Sequence, residues 1–135
     1  MISHVSRITI VVKDQAEALR FYTEKLGFEK RSDVPMGPGR RWVTVAPPND
    51  KVLEIVLQPV DWFDGAERER KLAQVGQNPT LVLAVPDCHE TSAVLKERGV
   101  DFAEPPAPQA WGGVQAVAKD LYGNLLVLVE YADHR

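Results

Sequence analysis

Cysteine appears once and histidine three times in the 135 residues. The lone Cys88 excludes an internal disulfide, and no Cys/His spacing reads as a structural zinc site. No apolar run approaches the roughly 20 residues that a bilayer-spanning helix needs. The net charge is only −3, with both signs interspersed. The basic stripe demanded by nucleic acid or an acidic membrane is therefore missing, and neither is expected as a partner. Met1-Ile2-Ser3-His4 shows no charged segment followed by an apolar one, so no signal peptide is expected and a cytoplasmic location is. What is present is 44% hydrophobic and 26% charged residues. That is the composition of a globular domain long enough to bury a core without staples.

The chain repeats itself at about half its length. Ile10-Val11-Val12-Lys13-Asp14 matches Leu83-Ala84-Val85-Pro86-Asp87. A helical stretch follows each, ending Lys25-Leu26-Gly27-Phe28-Glu29 and Glu97-Arg98-Gly99-Val100-Asp101. Next come Pro/Gly-rich loops, Val34 to Gly39 and Glu104 to Pro108. Alternating strands follow, Arg41 to Ala46 and Gly113 to Ala118, and then closing apolar runs, Val52 to Leu57 and Leu125 to Tyr131. Two copies are too few for a solenoid. A packed pair is expected, each half reading strand, helix, strand, strand, strand.

Local signals agree. Ile8 to Val12 is β-branched and reads as a buried strand. Asp14 and Asp87 are placed as helix N-caps, the second with Glu90 three residues on. Ala16, Leu19, Tyr22 and Leu26 recur at helical spacing as one apolar face. Gly27 and Gly99 stand where a C-terminal cap needs left-handed backbone. Between the halves, the charge-dense segment after Asp64 predicts a short exposed helix ending near Gly76. Trp62 and Phe63 open it.

Two stretches carry a family resemblance. Ile10-Val11-Val12-Lys13-Asp14 leading to Phe21-Tyr22-Thr23-Glu24-Lys25-Leu26-Gly27-Phe28 resembles the strand-Asp-helix-FYxxxLGF signature of the vicinal oxygen chelate superfamily. That superfamily holds glyoxalase I, bleomycin-resistance proteins and extradiol dioxygenases. Lys119-Asp120-Leu121-Tyr122-Gly123-Asn124-Leu125-Leu126 resembles its DPDGN turn and the apolar run after it, with Tyr122 in place of the second Asp. The resemblance implies an α+β fold of two tandem βαβββ modules whose curved mixed sheets enclose a cleft. One domain then spans 1–135, with module one over about 1–60, a connector over 61–77 and module two over 78–135. A homodimer is also implied.

The same resemblance implies four metal-ligand positions. The first is Arg7, seven residues before Asp14, and a guanidinium cannot ligate a cation. The second is Glu54. The third is Thr80 or Leu81, and the fourth is Val127. No metal or other cofactor is therefore expected. The alternative is a divalent metal (Zn, Ni, Mn or Fe) held by Glu54 with His4 or Glu130. That alternative would make the protein a metal-dependent lyase, isomerase or dioxygenase. His89 and His134 are read as solvated.

Alternation puts Arg7, Thr9 and Val11 on one sheet face together with Glu54 and Val56. An Arg7–Glu54 salt bridge is expected where two ligands would have faced one metal, since each charge would otherwise stand partly buried and unpaired. Glu54 is the one candidate catalytic group, as a general base. Cys88, beside Asp87 and Glu90, is read as structural. A small-molecule ligand is the expected partner. Arg7, Thr9, Arg41, Trp42, Glu54, Trp62, Phe63, Thr80, Trp111 and Val127 are its candidate contacts. The tryptophans suit a planar or apolar ligand, and Arg40 or Arg41 would neutralise an acidic group on it.

Overall fold

A computed structural model describes residues 1–132 of the chain. His134 lies outside the described residues. The chain divides into two compact units, Met1–Asn78 and a second beginning at Pro79. Each is a βαβββ module.

In the first unit, β1 (Arg7–Val12) leads into helix α1 (Gln15–Arg20). The Asp14 carboxylate accepts from the Glu17 N–H at 2.9 Å, so the expected cap is in place. The helix then widens into a π-turn over Phe21–Lys25 and ends at Gly27, whose φ is 77°. β2 (Glu29–Pro35), β3 (Arg41–Ala46) and β4 (Glu54–Pro59) complete a four-stranded sheet in the order β1-β4-β3-β2. β1 runs parallel to β4 and the other pairs are antiparallel. One face carries Ile10, Val12, Val43, Val45, Ile55 and Leu57, all buried, as are Ala18, Phe21 and Tyr22 of the helical segment.

The buried helical stripe differs from the expected one. Ala16 is exposed, and the inward positions are Gln15, Ala18, Leu19 and Tyr22. Gln15 was missed because it is polar. Its amide donates to the carbonyls of Arg41 and Leu57, each at 2.9 Å. It thereby bridges β3 and β4 beyond their last paired residues, Thr44 and Val56.

The segment expected as a connector stays with the first unit. A 3-10 turn over Val60–Trp62 leads to α2 (Gly65–Gln74), and Gly76 follows with φ 79°. Asn78 then accepts from the Val11 N–H at 2.9 Å and donates to the Val11 carbonyl at 3.0 Å. A side-chain amide so covers the outer backbone edge of β1, where open strand groups would invite stray pairing.

The second unit holds β5 (Leu81–Ala84), α3 (Cys88–Glu97), β6 (Phe102–Pro108), β7 (Val114–Lys119) and β8 (Leu125–Glu130). The sheet order is β5-β8-β7-β6. Glu104 to Pro108, expected as a loop, is edge strand with an irregular register. An edge strand tolerates proline because one side of it needs no ladder hydrogen bonds. Asp87 caps α3 through the Glu90 N–H at 2.9 Å, and Gly99 has φ 89°. Leu126, Leu128, Ala116 and Ala118 are buried, with Cys88, Ser92 and Leu95 of α3. Burial pushes the Cys88 thiol up, and the Glu130 and Asp87 charges add to that. This is the setting of an inert structural cysteine.

Candidate functional site

The register fixes which side chains share the face of the first sheet turned away from Val43, Val45 and Leu57. Arg7 pairs with Glu54, Thr9 with Val56 and Val11 with Gln58. Thr44 stands opposite Val56, and Trp42 shares its face by alternation. The face thus carries Arg7, Thr9, Trp42, Thr44, Glu54 and Gln58 above a floor of Val11, Val56 and Ala46. That floor is buried.

Arg7 and Glu54 form the expected pair, but a long one. Arg7 Nε lies 3.8 Å from Glu54 Oε1, with the side chains 47% and 24% exposed. The same carboxylate oxygen accepts from the Thr44 hydroxyl at 2.8 Å. Thr44 is fully buried, so this bond anchors Glu54 to the sheet. The guanidinium carbon of Arg7 lies 5.9 Å from the centre of the Trp42 ring, in cation–π range. Arg7 is held between an acid and an aromatic face.

Gln58 was not anticipated. Its Oε1 is buried and has no hydrogen-bond partner among the described residues. Alternation from Glu54 through Val56 reaches it directly. The apolar run ends at Leu57, one residue short of it, although β4 continues to Pro59. Thr44 was also legible, two residues after Trp42 in the same strand.

The other expected contacts fall elsewhere. Arg41 lies on the opposite face by alternation, and its Nε donates to Asp33 Oδ1 at 2.6 Å. With Lys30 this holds the Asp33 carboxyl below its ordinary range. Arg40 donates to the Trp62 carbonyl at 2.8 Å. The charge of Arg41 is thus paired with a carboxylate, whereas Arg40 spends one donor on a neutral carbonyl. Trp62 stands in the turn after β4, and Phe63 lies under Lys71, whose Nζ is 4.9 Å from the ring centre.

In the second unit, Val82 pairs with Val127 and Leu81 with Leu126. Thr80 therefore shares the alternation of Val127, and Leu81 belongs to the buried side. The corresponding face here is mixed: Val82, Ala84, Val117, Leu125, Val127 and Val129 share it with Gln115 and Lys119. Trp111 is half exposed and lies 6.1 Å from Tyr131, ring centre to ring centre. Its indole folds over Gly113, where a Cβ would collide with that ring and with the Glu130 carbonyl. Only glycine fits beneath it.

Each unit is a strand-helix-three-strand module, and the first presents an arginine–glutamate pair under a tryptophan where strands β1 and β4 meet. This architecture defines a class. The family model described as the Glyoxalase/Bleomycin resistance protein/Dioxygenase superfamily matches residues 2–128, and the chain belongs to that superfamily. The protein YurT of Bacillus subtilis (strain 168) is 39% identical over 123 residues, 90% of this chain and 94% of that one. The crystal structure of UcmS2 matches with a TM-score of 0.86 at 34% identity, covering 97% of this chain and 100% of that one. TnmS3, described as an antibiotic binding protein from Streptomyces sp. CB03234, matches with a TM-score of 0.79 at 34% identity, covering 97% and 98%.

The family's metal chemistry needs inward donors, and the residues here do not fit a divalent cation. Position 7 holds a permanent positive charge beside Glu54. Glu54 Oε1 is already shared with Thr44 and Arg7. Glu130 accepts from the Cys88 N–H at 2.8 Å and so serves as a second cap of α3. His4 precedes β1, exposed, with Nδ1 2.8 Å from the Ser3 hydroxyl. Among the described residues, no three His, Cys, Asp or Glu side chains gather as a cation site.

Proposed function

We propose that this chain binds a small planar organic ligand on the Arg7–Glu54 face of its first sheet, without a metal. It acts as a sequestering or resistance-type protein, as a homodimer in the cytoplasm. The observation that carries this reading is the Arg7–Glu54 pair beneath Trp42. It puts a protein cation where a family metal would meet Glu54, and it leaves an aromatic ring beside a polar pair. Such a mix of one apolar platform and few polar groups suits a small-molecule site. The antibiotic binding described for TnmS3, at 34% identity, supports the same reading.

The experiment is a fluorescence titration with Nile red, a neutral planar dye. Binding is expected in the presence of a chelator, with Trp42→Ala weakening it roughly tenfold through lost stacking. An affinity unchanged by Trp42→Ala, in a variant that melts normally, removes this face as the site.

A further inference from the structure

Two features of this face remain without a counterpart among the described residues: the spare donors of Arg7 and the buried Oε1 of Gln58. From these we infer the ligand's polar pattern. The ligand is a neutral planar aromatic with an amide-like group at one end and a hydrogen-bond donor at the other. The inference rests on the proposed binding function of this face and deepens it.

The first end is set by Arg7 and Glu54. A guanidinium has five N–H donors and no acceptor. Among the described residues, Arg7 meets the Trp42 ring and a carboxylate oxygen 3.8 Å away. That separation is too long for a hydrogen bond, so the N–H groups are available. The neighbouring carboxylate is still close enough to balance the charge. An acidic ligand group drawn to Arg7 would stand beside Glu54 and be repelled by it. A neutral carbonyl takes an Arg7 N–H with no such cost. An N–H next to that carbonyl meets the acceptor capacity that Glu54 retains, because an ionised carboxylate has about four lone-pair sites. The pair is therefore complementary to an amide-like group. Arg41 brings no counter-charge to an acidic ligand here, because it lies on the opposite face and is paired with Asp33.

The second end is set by Gln58. An unpaired buried acceptor is costly, and a donor from a ligand recovers that cost. Gln58 shares the face of Glu54 and Val56 by alternation, and its Oε1 is buried there. It lies four residues beyond Glu54 on one strand, about 13 Å at the usual rise. Side chains reach inward from both ends, and a two- or three-ring planar system fills the rest. Trp42 supplies the surface it lies against.

The test uses calorimetry on the full chain in chelator with three matched probes. They are a hydroxynaphthamide with its amide and hydroxyl at opposite ends, the hydroxynaphthoate of the same shape, and the methyl ether of the hydroxynaphthamide. The amide is expected to bind roughly tenfold more tightly than either of the others. Glu54→Gln removes the counter-charge and is expected to turn the preference toward the carboxylate. Gln58→Met keeps the volume and is expected to make hydroxyl and ether equal. If all three probes bind alike, or if both preferences survive these substitutions, the inference falls while the binding function stands. If no probe binds, both fall together. The wild-type comparison decides the matter even where a variant folds poorly.

Discussion

Replacing Tyr22 by alanine is expected to remove about 4 kcal/mol of stability, in the range known for large aromatic deletions from cores. Tyr22 is fully buried. Its ring meets Phe21 at 5.5 Å and Phe28 at 5.6 Å, both edge-on, the geometry aromatic pairs favour. The three rings tie the π-turn to the chain that enters β2, where the Phe28 N–H donates to the Tyr22 carbonyl at 2.9 Å. A domain of this size holds only about 5–15 kcal/mol in total. Chemical denaturation should therefore show a large fall in midpoint. Tyr22→Phe keeps the ring and should retain most of the stability. Equal losses from the two substitutions would contradict the packing account.

Asp120→Ala is expected to cost about 3 kcal/mol, because several hydrogen bonds to one buried carboxylate disappear together. Oδ1 accepts from the N–H groups of Tyr122 and Asn124, both at 2.9 Å, and Oδ2 accepts from Asn124 Nδ2 at 2.7 Å. Asp120 and Asn124 are both buried. The loss would leave these donors orphaned at the entry to β8. Gly123 completes the turn at φ 91°, where a side chain would be strained. Asp120→Asn retains an acceptor oxygen for the two backbone groups and should lose less than half as much. A thermal melt of the two variants separates the outcomes, and a near-neutral Asp120→Ala would refute the clamp.

This turn also shows why the fold was legible in the sequence. The family pattern has Asp where this chain has Tyr122, and the turn uses that position through its backbone N–H, which any residue other than proline supplies. The capping aspartates, Gly27 and Gly99 were legible for the same reason, since each answers a local backbone demand. Positions that depend on distant partners were harder to read. Gln15 looks like a solvent residue until β3 and β4 are seen to part beside it. Asn78 looks like linker until it is found on the edge of β1. The site was half legible: period-2 alternation placed Arg7 and Glu54 together. The same alternation put Arg41 behind the sheet, yet its charge made it attractive as an anion receptor. Gln58 went unnoticed because the end of an apolar run is not the end of a strand.

The most direct test of the account is elemental analysis of the protein purified without chelator. The Arg7–Glu54 pairing predicts no stoichiometric zinc, nickel, manganese or iron, and a Glu54→Ala variant with the same trace content. Stoichiometric metal that disappears in Glu54→Ala would contradict it.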